Sequence, residues 1–330
     1  MQKRVLSIVF AFATMFFCNV EAQNWLDDAS FNIRSSFEYN HTKTDDLKGF
    51  NGEHFNLNMQ GHITENISFR FRQRFHKNIV SGNNIFNATD FLYIDWQIDK
   101  HWSLRFGRDE ILIGGYEYDY APIDVYYYSD FCNNLPECYA FGASVGYNFN
   151  ADQKLIFQIT NTPFKGGNSN LLSCNLAWFG YIAPWWKTIW SVNESEYADG
   201  KFENIIALGN RFEFGDWYIE ADYISRYRSS FDKFLFDHFA VIGKLNYNYK
   251  NWNFFAKGGY DADRYPKAYH PTTYILDFEY DYTHIGCGAE YFPLKDSKDL
   301  RLHAVYYYND NLESHNLMLG ATWKLNLLRK

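Results

Sequence analysis

Apolar residues recur at every second position along most of this chain. In NISFRFRQRFHK (66–77), Ile67, Phe69, Phe71 and Phe75 share one face of an extended segment, while Ser68, Arg70, Arg72 and Arg74 share the other. In DFLYIDWQIDK (90–100), Leu92, Ile94, Trp96 and Ile98 oppose Tyr93, Asp95, Gln97 and Asp99. In HNLMLGATWKLNLL (315–328), Leu317, Leu319, Ala321, Trp323 and Leu325 lie on one side. A period of two predicts strands with one dry and one wet face. About sixteen such segments can be read, near residues 29–40, 53–62, 66–76, 89–98, 102–109, 138–148, 154–161, 171–182, 186–193, 202–214, 217–226, 237–249, 252–261, 276–291, 299–308 and 314–326.

The connections alternate in length. ITEN, DKH, NADQ, AP, GD, KN and PLKDSKD follow the even-numbered strands and read as turns. The odd-numbered strands are followed by longer segments, at 40–52, 76–88, 109–137, 161–170, 193–200, 226–236, 263–273 and 308–314, which read as loops. A soluble sandwich has no physical reason to sort its connections by parity. Short turns at one rim and long loops at the other are the pattern of an antiparallel transmembrane β-barrel. The fold class expected is therefore all-β, one closed barrel of about 16 strands over 23–330, closure removing the edges that hydrophobic hairpins would expose.

The N-terminus adds a route to the membrane. Lys3 and Arg4 precede an apolar run from Val5 to Phe17, and Val20-Glu21-Ala22 offers a small-residue cleavage site, so 1–22 reads as an export signal. No later apolar run reaches the length of a membrane-spanning helix. The formal net charge is -8, which disfavours nucleic acid as a partner. Outer-membrane lipid, lipopolysaccharide and small hydrophilic solutes or ions are the partners expected, at the outer membrane of a Gram-negative cell.

If the apolar face meets lipid, the polar face lines the interior. Arg70, Arg72 and Arg74 form a column there with Arg105 two strands away, either as a path for anions or as braces to neighbouring acids such as Asp95 and Asp99. The longest loop, 109–137, is the third. Tyr116, Tyr118, Tyr120, Tyr126, Tyr127 and Tyr128 need a surface to pack on, and Asp109, Glu110, Glu117, Asp119 and Asp124 need water or cations. A loop folded back into a wet barrel meets both needs and would narrow the pore. Cys132 and Cys138 bracket CNNLPEC; a local disulfide and free thiols both fit that spacing.

The segment IGGYEYDYAPIDVYYYS (113–129) resembles part of the phosphate-selective porin O and P family, in particular its branch in Bacteroidetes outer membranes. That resemblance implies a sixteen-stranded barrel, commonly a homotrimer, through which small anions or other small solutes diffuse. It also implies that the arginines resembling a pore lining are Arg70, Arg72, Arg74 and Arg105. The acidic third loop departs from a phosphate-selective pattern, because carboxylates at a constriction favour cations. A general or weakly selective porin is the reading that combines both. A sugar- or phosphate-specific channel working with a partner lipoprotein, and a non-conducting structural barrel, are the alternatives. No G-x-S-x-G and no metal-ligand spacing occurs, so neither an enzyme nor a metal or cofactor is expected.

Overall fold

The computed structural model describes residues 25–329 apart from 44–45, 78–84, 136, 166–169, 229–233, 264–280 and 311–312. The expected export signal lies outside the described residues.

Sixteen antiparallel strands form one closed barrel. They are β1 (Leu26–His41), β2 (Asp46–Thr64), β3 (Ile67–Arg74), β4 (Thr89–Gln97), β5 (Trp102–Glu110), β6 (Tyr139–Asn150), β7 (Gln153–Asn161) and β8 (Leu172–Ala183), then β9 (Trp186–Ala198), β10 (Lys201–Phe214), β11 (Trp217–Tyr227), β12 (His238–Tyr249), β13 (Trp252–Asp263), β14 (Tyr282–Tyr291), β15 (Leu300–Asn309) and β16 (Ser314–Arg329). Each strand pairs with its sequence neighbours. Closure comes from β1 against β16, where Phe31 faces Leu325 and Phe37 faces Leu319. No backbone edge is left for lipid to meet.

The alternation read from the sequence decides which face is dry. Leu92, Ile94 and Trp96 on β4 are each about half exposed on the outer wall, whereas Asp222 and Glu220 on β11 are buried on the inner one. Aromatic rings collect beside the short turns: Trp102 against Tyr147 (4.7 Å), Trp217 against Tyr247 (4.2 Å) and Trp252 against Tyr291 (4.7 Å). Trp185 joins them near Phe214. Such a ring belt marks the membrane interface at the turn rim.

Three connections on the loop rim are shorter than expected. β2 begins at Asp46, because Phe50 pairs with Phe37 and Asn51 donates to Glu38, so the glycines of LKGFNG stay in a strand. β9 and β10 continue to Asp199-Gly200, where Gly200 takes φ +64° in a tight hairpin of the Asp-Gly kind. β15 and β16 leave only 310–313 between them. Parity still sorts the longest segments to one rim, with 111–138 the longest of all.

Inside the barrel lies a dry patch that a simple water-filled tube would lack. Ile111, Ile113, Tyr118, Phe131 and Leu135 of the third loop pack on Ile205 and Ala207 of β10, Ile224 of β11, and Ala240 and Ile242 of β12. Burying these side chains is favourable by about 1.5–3 kcal/mol for each large one. The loop thus has its own core, made with the barrel's inner face.

Candidate functional site

The third loop leaves β5 and ends up touching inward side chains of β9, β11, β13, β15 and β1. Only a path through the lumen reaches all of them. It holds two short helices, α1 (Tyr116–Asp119) and α2 (Asp130–Asn134), with a 3-10 turn at Pro122–Asp124 between them.

Its first contact is a ladder of buried amides. Asn193 donates to Asn175 (2.8 Å) and Asn175 donates to Gln158 (3.0 Å), across β9, β8 and β7. The loop backbone completes the ladder, with Leu112 N–H donating to Gln158 (3.0 Å) and Asn193 donating to the Leu112 carbonyl (2.7 Å). Gly114 N–H then donates to Ser191 Oγ (2.8 Å). Here the loop lies backbone on backbone: a Cβ at Gly209 would come within 2.7 Å of the Gly115 Cα, and Gly115 itself has φ +106°. The Gly-Gly pair is what this approach requires.

Two wall carboxylates then hold the helix starts. Asp222 accepts from Tyr116 N–H (2.9 Å) and Glu117 N–H (2.8 Å). Asp261 accepts from Asp130 N–H (3.3 Å) and Phe131 N–H (3.2 Å). Each accepts from two backbone amides that open a helix and have no partner within it. Glu117 pairs with Lys257 and accepts from Ser129 N–H (2.8 Å) and Oγ (2.5 Å). Burial alone would raise its carboxyl, yet the Lys257 ammonium and the Ser129 hydrogen bonds outweigh burial and hold it below the ordinary value.

The loop's far end crosses to β1 and β15. Arg34 donates to the carbonyls of Ile123 and Val125, both at 2.9 Å, while also pairing with Glu53 (2.7 Å). Arg301 pairs with Asp124 (3.0 Å) and Glu290 (3.2 Å). The tyrosines finish the seating: Tyr120 donates to Glu220 (2.5 Å), Tyr126 to Glu290 (2.7 Å) and Tyr127 to the Lys257 carbonyl (2.9 Å). Tyr118 is buried in the dry patch and donates to the Cys138 carbonyl (3.3 Å). Tyr116 packs under the Arg211 guanidinium, 4.3 Å from it. Cys132 and Cys138 stand as free thiols packed on the same patch.

The loop carboxylates therefore divide. Glu117 faces an ammonium instead of water, Asp109 pairs with Arg105 (2.7 Å), and Asp124 is exposed but paired with Arg301. Asp119 is exposed and, like Glu110, has no ion pair among the described residues. The arginine column behaves in the same way. Arg72 and Arg74 both pair with Asp90 (2.8 Å each), Arg72 also donates to Tyr139 (2.5 Å), and Arg105 donates to Asp95 (2.9 Å). Arg70 alone has no carboxylate among the described residues; its guanidinium lies over the Phe91 ring at 3.9 Å. Bracing describes three of the four arginines, and the interior is close to charge-balanced.

Asp261, Gln158, Asn175 and Asn193 hold the loop although nothing in the sequence reading singled them out. A signal was present. Ile205-Ile206-Ala207-Leu208 is apolar on both faces of β10, and the inward positions of β8 and β9 are Ser173, Asn175, Ser191, Asn193 and Ser195, small or amide-bearing where a wet wall would carry charge. An inner face of that kind is made to be packed against.

Barrel, inward loop and turn-side aromatic belt together define an outer-membrane porin. The chain belongs to the phosphate-selective porin O and P family, whose family model matches residues 19–319. No curated protein matches it. Among solved structures it is similar to the anion-selective porin from Comamonas acidovorans (11% identity, TM-score 0.59, covering 90% of this chain and 98% of that one). It is also similar to a loop-deletion mutant of OmpT from Vibrio cholerae (13%, 0.58, 90% and 99%) and to the channel DcaP of Acinetobacter baumannii (14%, 0.58, 90% and 96%). At such identities these similarities establish the fold. Among the described residues no group of three His, Cys, Asp or Glu side chains is placed to hold a metal.

Proposed function

We propose that this porin is a weakly selective diffusion channel for small hydrophilic solutes and ions, narrowed by a third loop fixed to the wall. The observation that carries this reading is the charge balance of the interior: nearly every lining arginine and loop carboxylate is matched. Among the described residues Asp119, Glu110 and Arg70 are the exceptions. A pore whose fixed charges cancel filters by size more than by sign. The charge balance argues against phosphate selectivity through the arginine column, because guanidiniums committed to Asp90, Asp95 and Asp109 have little charge left to offer an anion. The homotrimer implied by the family is part of the proposal, and the mass of the native protein in mild detergent tests it.

Liposome swelling tests the diffusion reading directly. Vesicles carrying the protein should swell in neutral pentoses and hexoses at rates that fall with solute size, and small ions of either sign should enter at rates of the same order. Swelling with no solute, or with one sugar and not its isomers, would contradict it.

A further inference from the structure

Beneath the third loop, toward the turn rim, lies a chamber of about 220 Å³ bounded by the loop and by β11–β15. At roughly 30 Å³ per water it would hold about seven waters. We propose that it is a binding subsite for a hydroxylated monocarboxylate, a sugar acid of the uronate type. The proposal deepens the diffusion reading and rests on it, since the chamber lies between the loop and the barrel's inner wall.

Asn246 is the first reason. It lines the chamber and is 1% exposed, yet neither its amide nitrogen nor its amide oxygen has a hydrogen-bond partner. Buried amides are nearly always satisfied. A polar group that reaches the amide from the chamber would supply the missing partners. An amide offers donors and an acceptor side by side, which suits a hydroxyl group that can do both.

Lys244 is the second. It is the next inward residue on β12, and among the described residues its ammonium has neither a carboxylate nor a hydrogen-bond partner. It sits over the rings of Tyr120 (4.6 Å) and Phe255 (5.6 Å). The acids around it are already engaged: Glu220 by Arg211 and Tyr120, Glu290 by Arg301 and Tyr126, Asp222 by two loop amides, Glu117 by Lys257. Lys298 lines the same chamber, over Phe292 at 5.3 Å.

The combination selects the ligand class. An inorganic anion would use Lys244 and the amide but not the ring faces, and a neutral sugar would leave the ammonium uncompensated. A sugar acid uses all three, with its carboxylate on Lys244, its hydroxyls on Asn246 and its C–H face against an aromatic wall.

Calorimetric titration of the purified protein in detergent tests this, using glucuronate, glucose and inorganic phosphate as probes, with single-channel conductance in KCl recorded for every variant. Glucuronate should bind more tightly than either of the others. Lys244→Met should weaken it on the order of tenfold, the size of one charge-assisted hydrogen bond, with glucose unchanged, and Lys244→Arg should retain it. Asn246→Leu should weaken both sugars. Equal binding of phosphate would overturn the proposal in favour of a plain anion site, and equal binding of glucose in favour of a neutral-sugar site. No binding by a conducting protein would leave a chamber that holds water and overturn the subsite alone. Glucuronate binding by a protein that does not conduct would overturn the diffusion reading and leave the subsite standing.

Discussion

Glu117 and Lys257 are 3% and 7% exposed, so removing one charge strands the other in a site that cannot solvate it. Glu117→Gln should cost about 3–5 kcal/mol of loop docking, the usual range for breaking a buried pair. Faster proteolysis within 111–138 would register the loss, and Glu117→Gln with Lys257→Met should recover part of it. The same pair sets a pH dependence. Because the folded Glu117 carboxyl is depressed relative to an unfolded one, its contribution is complete above pH 4.5, the ordinary value. It is lost only as the pH falls below that through the depressed one. Current noise from loop motion should therefore stay flat from neutral pH to about 4.5 and rise on further acidification; a rise already near pH 6 would show that Glu117 is not the group in control. Asp222→Ala tests the amide clamp, each buried amide left without its acceptor costing about 1–3 kcal/mol. The open-channel conductance of that variant should differ from wild type.

The third loop is the element on which the site depends, and a single methyl group can test how closely it lies on the wall. Gly209→Ala would drive a Cβ to 2.7 Å from the Gly115 Cα, whereas a Cβ at Gly49 meets nothing within 4 Å. The first substitution should cost about 1–3 kcal/mol through overpacking and alter conductance; the second should leave both stability and conductance unchanged. The loop's presence was legible in the sequence, because the other connections read as ordinary turns or loops while 109–137 is too long and too aromatic to be solvated surface. Its attachments were not. Alternation shows that Asp222 points inward, but which backbone amides it meets depends on a chain fold many residues away in sequence. The same limit hid the pairing of Glu117 with Lys257 and of Arg34 with two loop carbonyls. The hairpin at Asp199-Gly200 was missed for a different reason: a Glu-rich approach, NESEY, reads as loop although its inward Asn193 and Ser195 continue the strand.

At the scale of the whole molecule, strand number followed from periodicity, since a one-residue slip in any strand would turn its lipid face inward, and closure from the alternating lengths of the connections. Selectivity did not follow from composition. A net charge of -8 and an acidic loop suggest a cation filter, yet inside the barrel the acids are spent on arginines, a lysine and backbone amides. What reaches the solute is the remainder of that pairing, which is small. The most direct measurement is the single-channel conductance of the purified, refolded protein in a planar bilayer, with its reversal potential under a KCl gradient. Stable openings with a reversal potential close to zero are the expected result. The absence of openings, or a potential near the limit for a purely anion- or cation-selective pore, would contradict a charge-balanced diffusion channel.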